Sequence, residues 1–124
     1  MNYKKAFSSF SVKNLENSKE FYENILGLDT NIEEEYILQI KVTNGPEVIA
    51  YLKPDHTPAT FTVLNFVVAD LKATVAILKE KGVVFESYDQ EDLKTDEDNI
   101  SRNEMVNVAW FKDPSGNFLS VMEE

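Results

Sequence analysis

The chain has 124 residues, no cysteine and a formal net charge of −10, and 43% of its residues are hydrophobic. That is the size of one ordinary domain, able to bury a core without staples. It excludes disulfides and thiolate metal sites, disfavours nucleic acid, whose phosphates attract basic surfaces, and holds no apolar run near the roughly 20 residues that a membrane helix needs. No apolar leader segment follows Met1-Asn2-Tyr3-Lys4-Lys5, so a cytoplasmic protein with neither a nucleic-acid nor a membrane partner is expected. The acidic balance serves solubility and would also attract a cationic ligand.

Residues 5–12 alternate as a half-buried strand does. Asn14 is placed to cap a helix, with Asn17 and Ser18 as competitors for that role. Leu15, Phe21, Tyr22, Ile25 and Leu26 then follow at near-helical spacing, and Gly27 stops the helix where a left-handed residue is needed. Leu28 to Glu35 is extended, and its last three residues, Glu33-Glu34-Glu35, read as a solvated turn. Tyr36 to Val42 and Glu47 to Leu52 form a hairpin about Asn44-Gly45. The segment 53–60, with Pro54 and Pro58, is a linker. It carries the chain's single histidine, His56, which has no evident sequence partner and reads as structural or solvent-exposed.

The second half opens with a strand from Phe61 to Val68 and a helix capped by Asp70 and stopped by Gly82. Val83 to Tyr88 is a strand. Residues 89–103 carry Asp89, Glu91, Asp92, Asp96, Glu97 and Asp98 against Lys94 and Arg102, and are expected to be a surface loop. Glu104 to Phe111 and Phe118 to Met122 are strands joined by the tight turn Asp113-Pro114-Ser115-Gly116.

The two halves repeat. Phe10 matches Phe66, Val12 matches Val68, Asn14 matches Asp70 and Leu15 matches Leu71, all at one offset. A repeat of this length governs the fold. Each half reads β-α-β-β-β, which gives an α+β protein of one domain, residues 1–124, built from repeats at about 5–52 and 61–122.

Two segments carry a family likeness: Val12-Lys13-Asn14-Leu15-x-x-Ser18-x-x-Phe21-Tyr22-x-x-x-Leu26-Gly27-Leu28, and Phe111-Lys112-Asp113-Pro114-Ser115-Gly116-Asn117. They resemble the vicinal oxygen chelate superfamily, the group of glyoxalase I, bleomycin resistance protein and extradiol dioxygenase. The resemblance implies two βαβββ modules forming curved mixed sheets around a concave cleft, with helices on the outer face. It also implies four positions that hold a divalent cation in the metal-dependent members. Carried over here, they are Phe7, Ala50, Val63 and Ser120. Three of those side chains have no donor atom, where a dication needs several nitrogen or oxygen ligands. No metal and no other cofactor is therefore expected, and no catalytic residue is identified.

Strand parity from Phe7 adds Ser9 and Ser11 to the cleft, with Leu52 beside Ala50, Asn65 and Val67 beyond Val63, and Phe118 and Met122 flanking Ser120. Trp110 reads either as a stacking platform or as core. Such a lining, apolar with sparse polar groups, suits a small-molecule pocket. The resemblance to metal-free drug-binding members implies sequestration of a partly aromatic or cationic molecule in the cleft of a homodimer. The alternatives are a metal-dependent lyase, isomerase or dioxygenase, and a structural or regulatory domain without a small ligand.

Overall fold

A computed structural model describes residues 1–124. The chain divides into two compact units, Met1–Pro58 and Ala59–Glu124, with the boundary inside the segment read as a linker.

In the first unit, β1 (Ser8–Val12) leads into α1 (Leu15–Glu20), whose last turn widens into a π-helical stretch, Phe21–Ile25. Asn14 caps α1, accepting from the Asn17 amide at 2.9 Å, while the Ser18 hydroxyl donates to the Asn14 carbonyl at 2.7 Å. Gly27 ends the helix with φ +76°, a region cheap only without a Cβ. The strands β2 (Asp29–Glu33), β3 (Ile37–Lys41) and β4 (Val48–Leu52) follow, in the sheet order β1-β4-β3-β2. β1 runs parallel to β4 and the other pairings are antiparallel. The Glu33-Glu34-Glu35 turn is tight, with Glu34 and Glu35 at φ 51° and 65°.

Register assigns the two faces of this sheet. Phe10 pairs with Ala50 and Val12 with Leu52, and Ala50 pairs with Leu38. This is the face under the helix, since the Phe10 ring lies 6.1 Å from that of Tyr22. Val12, Leu38, Ile40, Ala50 and Tyr22 are all fully buried. On the opposite face, Ser9 pairs with Ile49 and Ser11 with Tyr51.

The second unit repeats this order. β5 (Thr62–Val67) is followed by α2 (Leu71–Glu80), whose cap Asp70 accepts from the Ala73 amide at 3.0 Å. Gly82, at φ +94°, closes that helix. β9 (Asn107–Lys112) and β10 (Phe118–Glu123) complete a sheet of order β5-β10-β9-β8, where β8 is only Ser101–Arg102. Leu71, Val75 and Leu78 of α2 are buried, as are Ala109, Phe111, Leu119 and Val121 on the sheet. The carboxylate of Glu123 reaches the first amide of α2, at Leu71, at 2.8 Å, which ties β10 to the helix on that face.

Two expectations change here. Residues 83–88 do not form a strand. Phe85 makes one isolated bridge to Phe111, and Val84 is 84% exposed. Val83 and Phe85 are the only buried side chains of this segment, and a ladder needs continuous backbone pairing, which the segment lacks. The acidic tract is more ordered than a plain loop. It contains a small hairpin of β6 (Asp89–Gln90) and β7 (Leu93–Lys94), then a turn gathered on Asp96. The Asp96 carboxylate accepts from the amides of Asp98 (2.9 Å) and Ile100 (3.0 Å) and from Arg102 Nε (3.0 Å).

Burial alone would raise the Asp96 carboxyl, but the bonds from Ile100, Arg102 and Asp98 outweigh it and hold it below its ordinary value. A depressed folded value means that the turn stabilises the protein above the ordinary aspartate range and loses that contribution as pH falls through the lower, folded value. The stabilities of the wild type and Asp96→Asn should therefore differ near neutral pH and converge below pH 3.8, the ordinary value. Urea midpoints across that range measure it, and a constant offset would remove Asp96 ionisation as the cause.

No helix is long and apolar enough to cross a membrane.

Candidate functional site

The register of the second sheet brings several of the singled-out residues onto one face. Ser120 pairs with Asn65 on one side and with Trp110 on the other. Met122 pairs with Val67 and with Val108. These side chains point away from the face that carries Leu119, Phe111 and Val121 under α2, because successive residues of a strand alternate. The parity of Trp110 is thereby decided: it lies beside Ser120 on the face without a helix. The neighbouring pair toward the start of β10 is Phe118 with Lys112, whose Nζ stands 5.0 Å from the Phe118 ring.

The centre of this face is a short polar row. Ser120, fully buried, donates its hydroxyl proton to Asn65 Oδ1 at 2.6 Å. Trp110 is half-buried, and Tyr88 packs edge-to-face against it, with ring centroids 5.7 Å apart and planes at 87°. Tyr88 is positioned by the short segment that Phe85 anchors, through the Glu86 amide donating to the Trp110 carbonyl at 2.8 Å. Burial, with the Glu86 charge nearby, pushes the Tyr88 phenol above its usual range, so it stays a neutral hydroxyl at physiological pH. At the far end of the row Val67 is 62% exposed.

The other singled-out residues stand elsewhere. Ala50 and Leu52 are corrected to the helix side of the first sheet, with Phe10 and Val12, whereas Ser9 stands on the opposite face. A register offset of one residue reverses the face. Ser9 is the repeat mate of Asn65 and pairs with Ile49, so Ile49, rather than Ala50, is the first-unit counterpart of Ser120. Leu52 instead lines a surface hollow of about 490 Å3 with Leu15, Ile32 and the polar Lys13, Asn14, Glu16 and Glu35. Val63 falls at a register shift: Phe118 pairs with Thr62 but Leu119 with Leu64. As the extra residue of this bulge it leaves the alternation that Asn65 and Val67 keep. Phe7 precedes β1, is 55% exposed, and has the Lys5 ammonium 5.8 Å from its ring. Tyr88 was missed because the strand expected over 83–88 hid its placement. His56, read as partnerless, has a partner. Its Nδ1 is 2.7 Å from the Ser11 hydroxyl, which secures the linker to β1.

The profile of the Glyoxalase/Bleomycin resistance protein/Dioxygenase superfamily matches residues 8–121. The chain belongs to this superfamily. Solved structures agree in fold across the whole chain. A Bacillus anthracis protein assigned to the glyoxalase family is 18% identical, with TM-score 0.73 and coverage of 100% of this chain and 98% of that one. TnmS3, an antibiotic binding protein from Streptomyces sp. CB03234, is 21% identical, with TM-score 0.69 and coverage of 99% and 98%. UcmS2 is 20% identical, with TM-score 0.69 and coverage of 98% of each chain. A comparison with curated proteins found no match.

Superfamily membership raises the question of a divalent cation. The family positions here carry Phe7, Val63, Ser120 and, by register, Ile49. Among them only the Ser120 hydroxyl has a donor atom, and its proton is engaged on Asn65. Nowhere do three or more His, Asp or Glu side chains gather in a way that could hold a metal. The residues present do not fit the group, because hard and borderline dications take several nitrogen or oxygen ligands.

Proposed function

We propose that the protein binds a small, partly aromatic molecule without a metal, on the helix-free face of its second sheet, and sequesters rather than transforms it. The observation that carries this reading is Trp110, held half-exposed beside a single polar pair, Asn65 and Ser120, on an otherwise largely apolar face. An aromatic platform with a few placed polar groups is what small-molecule sites use. The antibiotic binding named for TnmS3, which shares the fold, supports the same reading. A second copy of the chain covering exposed apolar side chains such as Val67 and Phe61 belongs to the proposal. A homodimer is the commonest way to close such a surface.

The test is a calorimetric titration with bleomycin and a panel of planar heteroaromatic compounds, with and without a chelator. Saturable binding unaffected by the chelator is expected for at least one compound. Trp110→Ala should weaken it by about 1.5–3 kcal/mol, roughly ten- to a hundredfold. No binding across the panel, binding abolished by chelation, or full affinity in Trp110→Ala would each overturn the reading.

A further inference from the structure

The polar row on the second sheet is directional, and its direction selects a class of ligand. Ser120 gives its only proton to Asn65 Oδ1. That bond orients the amide, because the fully buried Ser120 hydroxyl has no other acceptor for its proton and a turned amide would leave that proton unpaired, so Oδ1 faces the hydroxyl and Nδ2 faces out. Asn65 is exposed, and its Nδ2 donates to no group of the chain. The polar group offered to a ligand is therefore a donor of two protons and not an acceptor. Asn65 and Trp110 pair with Ser120 from opposite sides, so they stand two strand spacings apart, about 10 Å. A ring system stacked on the indole reaches the amide only if it extends over that span.

We infer that this site selects a planar two- or three-ring molecule carrying a hydrogen-bond acceptor oxygen at one end, and discriminates against a cationic group there. The inference rests on the small-molecule reading above and narrows it. Trp110 supplies the stacking platform, and Asn65 supplies the orientation. Ser120 is a positioning residue that keeps the amide from turning its oxygen outward. The net charge of −10 favours a cationic ligand over the protein as a whole. At this position the local donor prevails, since an ammonium placed against an amide NH2 has no acceptor and loses water without replacement.

Three naphthalenes that differ in one substituent test this by equilibrium dialysis: 2-acetylnaphthalene (acceptor), 2-ethylnaphthalene (apolar) and 2-(aminomethyl)naphthalene (cationic donor). The wild type is expected to hold the acetyl compound about three- to tenfold tighter than the ethyl one, with the ammonium weakest. Asn65→Ala should remove the acetyl preference, bringing the acetyl and ethyl affinities together. Asn65→Asp, which presents an acceptor in the same place, should invert the order and put the ammonium first. Ser120→Ala should shrink the acetyl-to-ammonium ratio by freeing the amide to flip, an effect that mere loosening of the sheet would not produce. Equal affinity of the wild type for all three, or an unchanged order in both Asn65 variants, overturns the inference while the binding reading stands. Absence of saturable binding by any of them, with none in the calorimetric panel either, overturns both.

Discussion

Phe111→Ala is expected to destabilise the protein by about 3–5 kcal/mol, the range for deleting a buried aromatic side chain. Phe111 is fully buried, pairs with Leu119 across the sheet, and has its ring centroid 5.3 Å from that of Phe85. Truncation would leave a cavity between β9 and the residues under α2, because Leu119 and Val121 sit on backbones held by their ladders and cannot collapse into it. The loss would also spread. Phe85↔Phe111 is an isolated bridge, and Phe85 is one of the few buried side chains fastening residues 83–88, the segment that delivers Tyr88 to Trp110. Urea denaturation followed by the emission of Trp110, the single tryptophan, would show a lowered midpoint at unchanged slope. Phe111→Leu, which keeps most of the volume, should cost less. A loss under about 1 kcal/mol would mean that the site is far more compliant than a close-packed core permits.

Asp113→Ala should cost about 2–4 kcal/mol through a different route, the orphaning of buried donors. The Asp113 carboxylate organises the turn between β9 and β10. One oxygen accepts from the amides of Ser115 and Asn117, both at 2.9 Å, and the other accepts from Asn117 Nδ2 at 3.1 Å. Asp113, Ser115 and Asn117 are all buried, so water cannot readily replace the acceptor. Gly116 supports the turn at φ +83°. Asn117 in turn accepts from the Ala59 amide at 3.1 Å, so the network also anchors the first residue of the second unit. Asp113→Asn keeps the shape and one acceptor oxygen and should fall between the wild type and the alanine variant. Thermal midpoints of the three proteins test this order, and equal midpoints for Asp113→Ala and the wild type would contradict it.

The pattern of residues alone determined the elements whose signals are local. Asn14 and Asp70 cap their helices as their side chains dictate, and Gly27 and Gly82 stop them at positive φ. The repeat in Phe10/Phe66 and Val12/Val68 specified two β-α-β-β-β units, and the sheet orders β1-β4-β3-β2 and β5-β10-β9-β8 match each other strand for strand. What the tertiary structure decided is which residues face one another across strands. Pairing register depends on hydrogen bonds between segments distant in sequence, and one residue of offset moves a side chain to the other face. Ala50 consequently lies under the helix and Ile49 opposite it, Val63 is absorbed by a bulge, and Trp110 joins Ser120 and Asn65. The same long-range pairing left residues 83–88 with a single bridge, although their composition favours a strand. It also brought Ser11 to His56 across 45 residues. Caps and turns are written within a few residues, whereas a site on a sheet exists only once its strands have chosen their register.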